Sequence, residues 1–347
     1  MRKSWLVVSL LLSLAPAASR AASWSPPRTP DGVPDLQGVW TNASATKLTR
    51  PPSVKTLVVG DAEAERIAKA NPQVRYQQMD SGPADPAHPA SAAEDVGKGY
   101  NGFWLDPGAT LGKVKGEWRT SWIVDPADGQ LPFSEGGKAL LAKAQAYARA
   151  ADAPADPERL QPWDRCLIGS RGSGGPAMLN NLYNNSYQIV QTKGAVAIVV
   201  EMVHDVRIIP LFADRAAAEA GRRPAALQPW LGDSVGWWDK DTLVVETTHV
   251  NHEQGRAGPV FLTPEGRVTE RFTRTGPKEI LYEFQVEDST YYSRPWRAEM
   301  SFTPQKGRLF EYACHEGNYA LPDILRGARV ADRKAGKAAP STGDGAE

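Results

Sequence analysis

The residues best equipped for chemistry lie between Tyr183 and Leu211, in YNNSYQIVQTKGAVAIVVEMVHDVRIIPL. There Glu201, His204, Asp205 and Arg207 interrupt a run of β-branched residues that favours strand over helix. A carboxylate beside an imidazole can orient it or balance its charge, so His204 and Asp205 form a candidate acid–base unit. Ionised groups in such an apolar run must be paired or must face a cavity. On one regular strand Glu201, Asp205 and Arg207 share a face and His204 points to the other. A bend near His204 changes that register. The alternative without function is an internal Asp205–Arg207 pair that fixes the fold.

A second cluster ends the apolar part of the chain, in EYACHEGNYAL. The chain has two cysteines, Cys166 and Cys314. In an oxidising compartment an even, minimal count predicts one disulfide. That bond would pin His315, Glu316, Asn318 and Tyr319 beside the glycine-rich loop Gly169–Gly175. The expected catalytic set is then His204, Asp205, His315, Glu316 and Tyr312. Histidines act as base or acid, carboxylates orient them, and Tyr312 or Tyr319 donates. Arg207, Tyr187, Asn185, Glu246, Asn318, Tyr319 and Trp238 are expected to contact substrate, Glu246 by reaching the same interior from an adjacent strand. The glycine-rich loop lacks the Gly-Lys-Ser/Thr ending of a phosphate loop and the strand–loop–helix setting of a dinucleotide fold. No cofactor is therefore expected. His249-x-x-His252 beside Glu253 has ligand-like spacing, but it is not the helical His-Glu-x-x-His of metalloproteases, and no metal is expected. No Gly-x-Ser-x-Gly elbow supports a serine hydrolase. The remaining histidine, His88, falls in a polar stretch and is expected in solvent.

The elements that must position these groups are mainly β. Gly38–Thr41 reads as a first strand. Residues 60–71 read as a helix with Asp61 as its cap, and Ser134 caps a second, Ala-rich helix. A strand is expected over Trp118–Asp125. Lys193-Gly194 and Asp239-Lys240-Asp241 read as turns between strands, and strands follow over 267–274, 279–287, 295–303 and 308–314. Short, evenly spaced strands predict an antiparallel meander forming a lipocalin-like barrel or sandwich, with a few helices in the N-terminal half. The first 22 residues have the basic start, short apolar run and small-residue end of a signal peptide. Residues 23–330 are expected to form one β-rich domain with helical and loop insertions over 60–165, and 331–347 a disordered tail. Forty basic and forty acidic residues cancel, and no basic stripe predicts nucleic acid or a membrane surface as partner. Eleven tryptophans fit either a plugged barrel or a wall for flat ligands.

Several segments together resemble a group of exported, largely uncharacterised bacterial proteins: PDLQGVWTN, YNGFWLDPG, TSWIVDPADGQLP, YNNSYQIVQT, MVHDVRIIPL and EYACHEGNYAL. That resemblance spans most of 34–330 and implies one exported domain. Separately, Gly38-Val39-Trp40 resembles the first strand of lipocalins and other calycins, where the Trp closes the barrel base. The expectation is an exported, periplasmic or secreted enzyme with cofactor-independent acid–base chemistry, lyase or isomerase, on a small sugar-derived or aromatic substrate. A non-catalytic, lipocalin-like binder of an apolar or aromatic molecule is the alternative.

Overall fold

The computed structural model describes residues 24–72, 74–75, 106, 108–149, 155–169, 172–256 and 258–336. The expected signal peptide, most of the polar stretch with His88, most of the aromatic cluster at 100–106, Ser170 and Arg171, and the tail beyond 336 lie outside the described residues.

Thirteen strands run in chain order: β1 (Gly38–Thr41), β2 (Val58–Val59), β3 (Lys113–Val114), β4 (Glu117–Arg119), β5 (Ile123–Asp125), β6 (Ser186–Gln191), β7 (Ala195–Val200), β8 (Val206–Phe212), β9 (Asp233–Asp239), β10 (Thr242–Thr248), β11 (Arg267–Gly276), β12 (Glu279–Glu287) and β13 (Trp296–Pro304). Among the described residues the helices with assigned bounds are α1 (Asp61–Ala70), α2 (Glu135–Arg149), α3 (Arg215–Ala220), α4 (His252–Arg256) and α5 (Ala320–Lys334). Strands β6 to β13 follow one another around a sheet that β1 closes by pairing with both β6 and β13, giving a nine-stranded barrel. β5 pairs with β13 at Arg297 and Ala298, apart from the Thr303–Pro304 end that β1 takes, and β2, β4 and β3 make a small separate sheet.

The mainly β barrel is as expected. It is mixed rather than wholly antiparallel, because β8 and β9 pair parallel. Antiparallel neighbours need only a tight turn, but a parallel pair needs a crossover, and α3 supplies it. Asp214 starts α3 by accepting the Ala217 N–H at 2.9 Å. Other local expectations hold in part. Ser134 Oγ accepts the Gly137 N–H at 2.9 Å at the start of α2. Gly60, not Asp61, precedes α1, and the Asp61 carboxylate instead accepts the Trp118 indole N–H at 2.6 Å. The strand expected over 118–125 is split into β4 and β5, and no strand forms over 308–314. The ordered chain also runs past 330, because α5 continues to Lys334 with Ala328 buried and Arg329 donating to the Ala155 carbonyl at 3.1 Å.

Side chains alternate in and out along the barrel strands. Val268, Glu270 and Phe272 point inward on β11, and Leu243, Val245 and Thr247 on β10. Aromatic rings fill the interior. Tyr187 stacks on Phe302 at 5.3 Å, Tyr282 on Phe302 at 5.1 Å, and Phe272 tilts against Tyr282 at 4.9 Å. Trp40, buried on β1, donates its indole N–H to the Leu36 carbonyl at 2.9 Å.

Candidate functional site

Strand directions collect the chemically interesting loops at one end of the barrel. β6, β8 and β9 begin there, and β7 and β10 end there. The β7–β8 connection is a single 3₁₀ turn, Met202–His204, held by Glu201 N–H donating to the Ser186 carbonyl at 3.0 Å. Val203 (φ 59°) and His204 (φ 54°) both sit in the left-handed region. A β-branched residue there is an outlier and costs about 1–3 kcal/mol. This is the bend that the regular-strand register excluded, and it gives Asp205 and Arg207 different partners.

Asp205 turns under the glycine-rich loop. Its Oδ2 accepts the Gly169 N–H at 2.7 Å. A Cβ on Gly174 would lie 3.1 Å from the same oxygen, so only glycine lets this backbone lie so close to the carboxylate. Burial pushes the Asp205 carboxyl up to about 6, against the partial relief of the Gly169 hydrogen bond. His204 is exposed, and its Nε2 accepts the Tyr312 backbone N–H at 2.9 Å. A nitrogen that accepts a hydrogen bond carries no proton, so the neutral ring bears its hydrogen on Nδ1. The Tyr312 ring stacks on Tyr183 at 6.5 Å with planes 8° apart. Burial, the neighbouring Tyr183 and a hydrogen bond with it push the Tyr312 phenol up to about 12, which keeps it protonated. Beside this group, Asn184 donates to Glu201 Oε1 at 2.7 Å.

Arg207 is not Asp205's partner. It points into the barrel and is bound on two sides by Glu270: Nη1 donates to Oε1 at 2.9 Å, and Nη2 to Oε2. Their side chains are 1% and 0% exposed. The Tyr282 hydroxyl donates to Glu270 at 2.6 Å and accepts the Met178 N–H at 2.9 Å. Burial alone would lower the Arg207 pKa, but the Glu270 carboxylate overrides it and leaves it raised. The glycine-rich loop caps this network. Gly175 (φ +88°) comes so near that a Cβ there would lie 2.8 Å from Arg207 Nη1. Tyr187, expected at the substrate, is fully buried, and its hydroxyl donates to the Ser173 carbonyl at 3.0 Å. Tyr187 therefore ties the loop to the barrel, and Arg207 is paired inside the barrel beneath it, so neither faces a ligand.

Other expected contacts also move. Glu246 lies on the outward face of β10, opposite in phase to Val245 and Thr247. It takes hydrogen bonds from Arg222 at 2.6 Å and from Arg215 and Arg267, both at 3.0 Å, outside the barrel rather than within it. Asn185 is a buried structural amide: its Oδ1 accepts the Asn181 N–H at 2.6 Å and its Nδ2 donates to the Asp106 carbonyl at 2.9 Å. Trp238 shares the inward face of β9 with Ser234 and packs against the core. The Cys166–Cys314 disulfide is present, with Cα atoms 5.9 Å apart across a separation of 148 residues. It does hold the Cys314–Tyr319 turn against the segment leading into the glycine-rich loop, with Asn318 Nδ2 donating to the Cys314 carbonyl at 3.1 Å. His315, Glu316 and Tyr319, however, are exposed and have no side-chain partner among the described residues. They are not part of the assembled group. His252 opens α4, and His249 (φ 54°) places Nδ1 3.2 Å from Thr248 Oγ1. Among the described residues no three His, Cys, Asp or Glu side chains are grouped to hold a metal.

The structure thus ties His204 to the backbone of Tyr312 and the adjacent Asp205 to the Gly169 N–H, and adds Tyr183, against which the Tyr312 ring stacks and which the sequence reading passed over. Compared with known proteins, the chain matches no family model, no curated protein and no solved structure.

Proposed function

We propose that this is an exported β-barrel enzyme that moves a proton on a small organic substrate at the barrel rim, without a cofactor. The observation that carries the reading is Asp205: a largely buried carboxylate with one backbone donor, pushed up to about 6, next to an imidazole with a fixed tautomer. A general base works best with a pKa near the working pH. Asp205 takes the base role that the sequence reading divided between His204 and His315. His204 Nε2 is already engaged, so His204 presents Nδ1–H as a donor, and the hydrogen-bonded Tyr312–Tyr183 hydroxyl pair supplies a second. In the step, Asp205 removes a proton from a carbon next to a carbonyl or carboxylate. The C–H electron pair moves to the oxygen, which His204 and Tyr312 stabilise. The proton returns at the neighbouring carbon (isomerase) or leaves with a β-hydroxyl group as water (lyase). A sugar acid or an aromatic side chain with such a carbon is the substrate class.

The lipocalin-like alternative places an apolar ligand inside the barrel, where it competes for space filled by Tyr187, Phe272, Tyr282 and Phe302. The packing therefore favours a ligand at the rim. Export is supported by the disulfide, which fits an oxidising compartment. No helix among the described residues is long and apolar enough to cross a membrane.

The test is to incubate purified protein in D₂O with a periplasmic metabolite extract and follow deuterium uptake by mass spectrometry. The wild type is expected to label or convert a specific metabolite, and Asp205→Asn to leave it untouched. Identical profiles for the two proteins would overturn the reading.

A further inference from the structure

A second concavity lies away from the rim group, between α2, the 3₁₀ turn Pro157–Arg159 and α4. Its volume is about 450 Å³, within the range of roughly 300–1,000 Å³ typical of small-molecule sites. The inner wall is apolar and aromatic, with Phe261, Tyr291, Leu141, Leu160 and Pro162. The Phe261 and Tyr291 rings are 5.6 Å apart and tilted by 36°. This wall is rigid. Phe261 N–H donates to the Tyr292 hydroxyl at 2.9 Å, and Phe133 holds Phe261 from behind at 5.9 Å. Leu262 N–H donates to the Gly255 carbonyl at 2.9 Å, which ties α4 to the same wall.

The rim of the cleft is charged. Lys143, Arg159 and Arg256 meet Glu158 and Glu253, and His252 stands among them. Glu253 is already engaged by Arg165 at 2.9 Å, so one of the two carboxylates is neutralised from outside the cavity. The lining thus carries three basic side chains against two acidic ones. Arg256 forms no ion pair among the described residues, yet its charge reaches Tyr291: burial raises the phenol's pKa and Arg256 pulls it back. A guanidinium without an ion pair among the described residues, in the lining of a cleft with an aromatic wall, suits a flat anion.

We infer that this cleft binds a small aromatic carboxylate, with the ring against Phe261 and Tyr291 and the carboxylate on Arg256. The site shares no residue with the rim group, so it stands whether or not Asp205 is catalytic. Of the His249-x-x-His252 stretch, His252 and the adjacent Glu253 line this cleft and His249 does not.

Calorimetric titration of the disulfide-bonded protein with benzoate tests this, with benzyl alcohol and cyclohexanecarboxylate as probes lacking the charge and the aromatic ring. Benzoate is expected to bind saturably. Arg256→Gln, at an exposed position, should weaken it about tenfold or more, the loss of one charge-assisted hydrogen-bonded contact. Benzyl alcohol should be weakened to a similar degree, and cyclohexanecarboxylate should bind less tightly than benzoate. Asp205→Asn should bind benzoate like the wild type. No saturable binding, or equal binding by Arg256→Gln and wild type, would overturn the site. Benzyl alcohol equal to benzoate would overturn the anionic assignment, and cyclohexanecarboxylate equal to benzoate the aromatic one.

Discussion

Replacing Glu270 by Ala should be among the most damaging single changes in the barrel. Glu270 meets both Nη groups of Arg207 and accepts the Tyr282 hydroxyl, and none of these groups can reach water. Removing it leaves a buried guanidinium uncompensated, which costs about 3–5 kcal/mol. For a chain of this size about 2 °C of Tm is lost per kcal/mol, so Tm should fall by about 6–10 °C. Glu270→Gln keeps an acceptor for Tyr282 but not the charge, and should lose most of the same amount. The double variant Arg207→Met, Glu270→Leu removes both charges and fills the space with apolar groups, an exchange that is often neutral. It should be no less stable than either single variant. Thermal melts and urea titrations of the wild type, Arg207→Met, Glu270→Leu and the double variant complete a double-mutant cycle. If the two single losses simply added in the double variant, the pair would not be coupled, and the role given to the glycine-rich loop as its cap would fall.

Two further outcomes follow from the rim. The Asp205 carboxyl is raised from 3.8 to about 6 in the fold, so the folded state holds more protons than the unfolded chain between those values. The contribution of Asp205 to stability is therefore fully present below about pH 4 and is lost as pH rises through about 6, by up to about 3 kcal/mol. Asp205→Asn cannot ionise, so its Tm should exceed that of the wild type at pH 7.5, and the gap should close near pH 4. An equal or lower Tm at pH 7.5 would mean that the carboxylate is not penalised by burial. Separately, changing Cys166 and Cys314 to Ser should cost about 2–5 kcal/mol and free the Tyr312 segment from His204, seen as faster proteolysis over 305–319. Unchanged cleavage would show that packing, not the disulfide, holds this segment.

The barrel was legible because its strands alternate and their turns are short, as in β11 and β12. The disulfide was legible from the count of cysteines alone. The parallel β8–β9 pair was not, because α3 is a short helix, RAAAEA, that periodicity cannot separate from a loop. The partner of Arg207 was missed although a signal existed. Val268, Glu270 and Phe272 share one face, and an acidic residue in an apolar inward phase requires a buried cation. The different settings of His204 and Asp205, on which the proposed roles rest, were beyond the sequence. They depend on two positive φ angles and on a backbone N–H more than a hundred residues away. Glu246 was misplaced by one position of phase, which on a strand exchanges inside for outside. His315 was given weight by its polar neighbours, but those neighbours are what a solvent-exposed turn also requires.

The central claim rests on one ionisation, and it can be read directly. Protein labelled with ¹³C at aspartate side-chain carboxyls, titrated by NMR from pH 3 to 9 alongside Asp205→Asn, isolates the Asp205 resonance by its absence from the variant. We predict an inflection at about 6. An inflection near 4, the ordinary value for an exposed aspartate, would contradict the assignment of Asp205 as the base of the rim site.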